Sequence, residues 1–202
     1  ADLQPRDALG IYMTATYKHT LAALALGFAC VTPAVQAGGS LDLSLADDAV
    51  RVAWDATRAG SGMHVNLAWL HHEEEGDLVS GGLHVVDVRP SKRTLYIGVG
   101  AKLQAFNTDD YDGAAVGVGG FFRYAFPANR DVSLAGYGYY APPVLSFSDA
   151  ENMVNMDMRL QYSLIPTARI YAGYRYVSIR LEDVRRRYEL GDGLHAGLTI
   201  DF

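Results

Sequence analysis

The chain has 202 residues, a formal net charge of -6 and a mean hydropathy of +0.02. An acidic balance excludes nucleic acid as an expected partner. Tyrosine (13) and glycine (21) are abundant, and after the first 37 residues no apolar run reaches helix-spanning length, so any membrane crossing must be made by strands.

The first element is an export signal. Lys18 and His19 precede an apolar run from Leu21 to Val31, which breaks at Pro33 and ends on Val35-Gln36-Ala37. A basic start, a short apolar core and small residues before a cut describe a cleavable secretory signal peptide. Met13 is a plausible start and cleavage is expected after Ala37, leaving residues 38–202 as one domain. Cys30, the one cysteine of the sequence, would be lost with the signal; its surroundings match a lipobox poorly.

Ten alternating segments follow. Leu41, Leu43 and Leu45 alternate with Asp42 and Ser44. Val50, Val52 and Trp54 alternate with Arg51 and Asp55, and Met63, Val65, Leu67 and Trp69 with His64 and Asn66. The fourth face is Val79, Gly81, Leu83 and Val85; the fifth is Ile97, Val99, Ala101 and Leu103 against Lys102 and Gln104. The sixth carries Val116, Val118, Phe122 and Tyr124 against Arg123. The seventh, Val132 to Tyr140, is apolar or glycine on both faces. In the eighth, Val154, Met156, Met158, Leu160 and Tyr162 oppose Asn155, Asp157, Arg159 and Gln161. The ninth sets Ile170, Tyr174 and Tyr176 against Arg169 and Arg175. Residues 182–192 read as a loop into the tenth, where Leu194, Ala196, Leu198, Ile200 and Phe202 alternate with His195, Gly197, Thr199 and Asp201. This is the period-two pattern of strands with one apolar face.

An even number of strands, each near the 9–11 residues of a tilted membrane strand, predicts an all-β, transmembrane, antiparallel up-and-down barrel. Ten strands are expected, with eight or twelve as neighbouring alternatives. The connections sort by side. Those near the termini (59–62, 89–93, 127–131, 165–167) are short and often basic. The opposite ones, such as Glu73-Glu74-Glu75-Gly76-Asp77 and Asp109-Asp110-Tyr111-Asp112, are mostly acidic; Arg185-Arg186-Arg187 is an exception. Trp69, Tyr140, Tyr174 and Tyr176 on one side, and Tyr124, Phe126, Tyr162 and Phe202 on the other, suit two interfacial girdles.

Alternation alone does not separate this from a soluble barrel with an apolar interior. The polar face decides for the membrane. Arg51, Asp55, Lys102, Arg123, Asp157, Arg159, Arg175, His195 and Asp201 mix both signs among small residues, which suits a confined lumen where charges must pair. Arg51/Asp55 and Asp157/Arg159 are expected same-face pairs. Leu194, Leu198, Ile200 and Phe202 resemble the closing strand that the barrel-assembly machinery reads as a signal.

Trp69-Leu70-His71-His72-Glu73 with Gly76-Asp77, Gly119-Gly120-Phe121-Phe122-Arg123-Tyr124, Tyr139-Tyr140-Ala141-Pro142 with Val144-Leu145-Ser146-Phe147, and Asp192-Gly193-Leu194-His195-Ala196-Gly197-Leu198 resemble the YfaZ family over nearly the whole mature chain. The resemblance implies a precursor with a signal peptide and a β-barrel in a Gram-negative outer membrane. It assigns no activity and no functional residue.

No catalytic, metal or cofactor site is expected. His71 and His72 are adjacent on a strand and point to opposite faces. A lipid-A deacylase needs a His-x-Ser pair, but His64, His71, His84 and His195 are followed two residues later by Asn66, Glu73, Val86 and Gly197. Asp47-Asp48 with His71-His72 mimic the rim pair of an omptin-like protease in a chain too short for its cleft. The expected function is non-enzymatic: a narrow porin-like channel or a closed, envelope-structural monomer in contact with outer-membrane lipid and lipopolysaccharide. The runner-up is a surface-binding protein acting through acidic loops on cations, lipopolysaccharide or a host partner; an enzyme is third. Tyr139 to Phe147, apolar where an outer loop is expected, reads equally as a plug over the barrel mouth or as a longer strand with a proline-broken end.

Overall fold

A computed structural model describes residues 37–202 except 59–60, 88–93, 109–110 and 182–186. The expected export signal through Gln36, Cys30, the basic turn 89–93, the acidic pair 109–110 and Arg185-Arg186 lie outside the described residues.

Eleven strands run in chain order: β1 (Ala37–Ala46), β2 (Ala49–Arg58), β3 (Met63–His72), β4 (Gly76–Val86), β5 (Leu95–Asn107), β6 (Asp112–Phe126), β7 (Asn129–Ala141), β8 (Ser146–Ser148), β9 (Ala150–Ile165), β10 (Ala168–Leu181) and β11 (Arg187–Asp201). Ten of them pair antiparallel with their neighbours, and β1 pairs with β11 from Ser40↔Asp201 to Ala46↔His195. The sheet is therefore a closed ten-stranded barrel with no free edge, the only β-architecture that satisfies every backbone group within lipid. All ten strands read from the alternation are present. The tenth begins earlier than expected, at Arg187, inside the segment read as a loop.

Polarity runs outward to inward as a membrane demands. Leu83, Val85, Val99, Leu103, Leu160 and Leu194 are exposed on the outer wall, Leu194 at 79%. Asp42, Arg51, Lys102, Asp157, Arg175 and His195 are buried inside. A Lys or Arg on the outer face at mid-membrane would cost about 2–4 kcal/mol, which explains why the described outer wall holds apolar side chains. Tyr140 and Tyr174 near the loop end, and Tyr124, Tyr162 and Phe202 near the turn end, are exposed on that wall.

The stretch after β7 is a broken strand rather than a plug. Pro142 precedes one 3-10 turn (Pro143–Leu145), and β8 then pairs with β6 at Gly113–Ala115, along the same edge that β7 occupies further down. Proline removes a ladder donor, so the strand breaks and resumes.

What fills the loop end of the lumen is different, and the sequence reading did not expect it. Leu70, Leu78, Phe106, Met153, Ile179 and Leu190 form one buried cluster with small neighbours such as Ala49, Ala115 and Ala141. They come from the loop-side ends of strands around the whole wall. The lumen is thus polar only over its middle and turn-side levels. A bulge contributes. Val177 and Ile179 of β10 pair with Gly191 and Tyr188, so β11 carries one extra residue there, and Leu190 turns inward to complete burial.

Strand β6 packs against its neighbours with almost no tolerance at one position. A Cβ on Gly119 would lie 1.9 Å from the Gly138 carbonyl oxygen, whereas one on Gly138 would meet nothing within 4 Å. Gly119→Ala is expected to lose the heat-resistant, fast-migrating folded form on gels, and Gly138→Ala to keep it. Equal behaviour of the two variants would contradict the β6–β7 register.

Candidate functional site: the lumen

The centre of the lumen is the Asp42 carboxylate on β1, 2% exposed. Arg51 Nη1 from β2 donates to Oδ1 at 2.9 Å, and so does the Tyr171 hydroxyl from β10 at 2.9 Å. Arg159 Nη1 from β9 and the Thr199 hydroxyl from β11 donate to Oδ2 at 2.9 and 2.7 Å. Four donors from four strands converge because β2, β1, β11, β10 and β9 are consecutive around the wall. The Arg159 guanidinium also lies 4.5 Å from the Tyr171 ring centroid.

Asp157 on β9 makes a second knot. His195 Nε2 and Arg175 Nε lie 2.9 and 3.5 Å from its Oδ2, and Arg159 Nε lies 3.8 Å from Oδ1. Arg175 Nη2 also donates to Ser44 Oγ at 2.5 Å. Nearer the turns, Arg169 grips Asp201 through both carboxylate oxygens, at 2.6 and 2.7 Å. Such bidentate pairs are among the strongest that arginine makes.

Asp55 belongs to a third group. It lies 3.1 Å from His64 Nε2 and accepts from Asn66 Nδ2 at 2.9 Å; His64 Nδ1 in turn meets Thr57 Oγ1 at 2.9 Å. The expected Arg51/Asp55 pair does not form. Four residues along a strand span about 13 Å, while the next strand is about 4.8 Å away, so each side chain takes a lateral partner. The expected Asp157/Arg159 pair lies at 3.8 Å, but Arg159 spends its hydrogen bond on Asp42.

Two of the cations singled out in the sequence have no carboxylate within ion-pair distance among the described residues. The Lys102 ammonium sits 5.0 and 4.8 Å from the ring centroids of Tyr137 and Tyr139, and Arg123 faces Tyr96 at 6.0 Å. Both line a cavity of about 410 Å³ that lies on the turn side of the apolar cluster, with Asp42, Asp55, His64, Arg159 and Asp201 in its wall. Sequence reading missed Asp42, His64, His84, Tyr137, Tyr139 and Tyr171 as lumen residues. Asp42, His64 and His84 were legible from alternation; the tyrosines were masked by their resemblance to lipid-facing aromatics. His84 Nε2 meets the Tyr139 hydroxyl at 2.8 Å. Leu194, Leu198, Ile200 and Phe202 all lie exposed on the outer wall of β11 or just beyond it.

Among the described residues no group of three or more His, Cys, Asp or Glu side chains is arranged to hold a metal ion. Chemically the lumen is a set of fixed ion pairs beside two uncommitted cations.

Comparison with known proteins finds similarity in a family model, a relative and solved structures. The sequence model of the family described as YfaZ precursor matches residues 17–202. The outer membrane protein YfaZ of Escherichia coli (strain K12) is 27% identical over 145 residues, covering 70% of this chain and 76% of the relative. Among solved structures, two chains of a KdgM porin, one of them in complex with disordered oligogalacturonate, are similar at TM-scores of 0.45 and 0.43, with 14% identity, 82% of this chain and 99% of theirs covered.

Removing one partner of a buried charge cluster leaves the others unpaired, at a cost of about 3–5 kcal/mol. Asp42→Ala strands Arg51 and Arg159 and is expected to lower the unfolding free energy, from urea titration of the barrel in lipid vesicles, by that much. Glu74→Gln at the exposed loop tip is the control, expected to change nothing. An unchanged unfolding free energy for Asp42→Ala would show that the knot does not hold the barrel.

Proposed function

The chain belongs to the YfaZ family and is an outer-membrane β-barrel protein, and on that premise we propose that it is a closed, non-enzymatic barrel whose polar lumen is a chamber facing the periplasm. The observation that carries this reading is the apolar layer of Leu70, Phe106, Met153, Ile179 and Leu190 across the loop end of the lumen. A ten-stranded barrel is narrow enough for side chains to fill, and a dry apolar layer is a barrier to ions. Short turns lie on the periplasmic side of such barrels and longer loops outside. In this reading the end that carries the turns Pro127-Ala128 and Pro166-Thr167, opposite the acidic tips, faces the periplasm, as does the chamber. Residues 1–37 act in this reading as the export signal, and Leu194, Leu198, Ile200 and Phe202 are what the assembly machinery engages.

A second reading, binding at the cell surface, draws on the other end. Glu73 and Glu74 are exposed at the β3–β4 tip, beside exposed Asp47 and Asp48, to whose turn the backbone ties them (Glu73 N to Asp48 O, 2.9 Å). That reading requires saturable binding of a divalent cation, lipopolysaccharide or a host partner that E73Q/E74Q weakens.

Planar-bilayer recording decides between a closed barrel and a channel. The folded protein is expected to give no discrete openings. Truncating the layer with the double substitution Phe106→Ala and Met153→Ala is expected to produce them. Discrete openings of the unaltered protein, shifted in ion preference by Arg123→Ala or Asp157→Ala, would make it a channel instead.

A further inference from the structure

The charges inside the barrel do not balance. Below the apolar layer, six arginine and lysine side chains face inward, against four aspartates, with histidines counted neutral. Every aspartate has its partners: Asp42 and Asp157 are each held by arginines, Asp201 by Arg169, and Asp55 by His64 and Asn66. Lys102 and Arg123 are the two of these cations that no carboxylate meets within ion-pair distance among the described residues. The short stretches 59–60 and 88–93 contain no Asp or Glu that would offset the imbalance.

Lys102 is the sharper case. It is 3% exposed, its ammonium lies over two ring faces, and no carboxylate of the described residues is within ion-pair distance. Cation–π contact supports a cation without neutralising it. Burying a charge is costly unless an opposite charge meets it. The chamber in front of Lys102 has about 410 Å³, within the range of about 300–1,000 Å³ common for small-molecule sites. Arg123 lies opposite Tyr96, six residues from Lys102 along the β5–β6 pair and roughly 20 Å nearer the turns by strand rise. These two cations therefore mark the floor and the mouth of one cavity.

We propose that this chamber is a binding site for a small organic anion bearing carboxylate or phosphate groups. Lys102 receives the acidic group at the floor, and Arg123 draws the anion in at the mouth. Narrow, low-dielectric walls focus the field of such charges and raise the local concentration of counter-ions. Tyr96, Tyr137 and Tyr139, whose rings carry these cations, line the chamber beside them. The inference goes beyond the closed-barrel reading and uses it only for the direction of access, which is from the periplasm.

Protein extracted from outer membranes in detergent, where both barrel ends are open to solvent, is titrated calorimetrically at low ionic strength with citrate and, separately, with inorganic phosphate. Saturable binding of one anion per barrel is expected for at least one probe; which one it is separates carboxylate from phosphate recognition. Lys102→Gln is expected to weaken it at least tenfold, and Arg123→Gln to weaken it less and flatten its dependence on salt. Lys102→Gln also removes a buried uncompensated charge, so in anion-poor buffer the variant is expected to melt no lower than the parent, which guards against misfolding as the cause. Absence of saturable binding for both probes, or equal binding by Lys102→Gln and the parent, would overturn the site. Neither result depends on whether the barrel conducts, so failure of the closed-barrel reading remains separately visible.

Discussion

The Asp42 carboxylate is the point on which the interior turns. A barrel in lipid gains little from burying apolar side chains inside, because its outer wall is already in an apolar medium. Its strands must instead be held in register by backbone ladders and by whatever the lumen supplies. Asp42 accepts four hydrogen bonds at once, from Arg51, Arg159, Tyr171 and Thr199. The strands involved include β1 and β11, so the knot spans the seam that closes the sheet. Asp157 sits one level away and is held by charge contacts with Arg175 and Arg159 and by His195 rather than by hydrogen bonds, sharing Arg159 with Asp42. The two carboxylates and three arginines form one connected network through Arg159, so removing either carboxylate leaves buried guanidinium groups without a counter-charge.

That network divides the lumen into levels. Toward the loops it meets the apolar layer around Met153 and Ile179, both fully buried. Toward the turns it opens into a chamber whose mouth carries Arg169, Asp201 and Arg123. A wide pore needs about 16 strands or more, and ten leave room for side chains and a small solute at most. The protein in this account is a plugged barrel with a charged inner vestibule. The acidic loop tips and the cationic vestibule face opposite sides of the membrane.

How much of this was legible in the sequence follows from the period of a strand. Period two identifies which residues share a face, so all ten wall strands and the inward direction of Arg51, Lys102, Asp157 and His195 could be read directly. It does not say which strand-to-strand neighbours meet. Arg51 was matched to Asp55 on its own strand, although the closer carboxylate was Asp42 on the next one. It also treats apolar as outward. Leu70, Leu78 and Phe106 obey the inward parity of their strands yet are apolar, so the layer they form was invisible to a rule that equates polarity with direction. Leu190 was hidden twice, by that rule and by the bulge that shifts its parity.

The closed loop end is the central claim, and solvent paramagnetic relaxation of methyl groups tests it most directly. A soluble gadolinium chelate is added to the methyl-labelled protein in lipid nanodiscs. The account predicts that the methyls of Met153, Ile179 and Leu190 stay nearly unaffected, while that of Val144, exposed beside the loops, relaxes strongly. Comparable relaxation of all four would mean that water reaches the layer and the lumen is open.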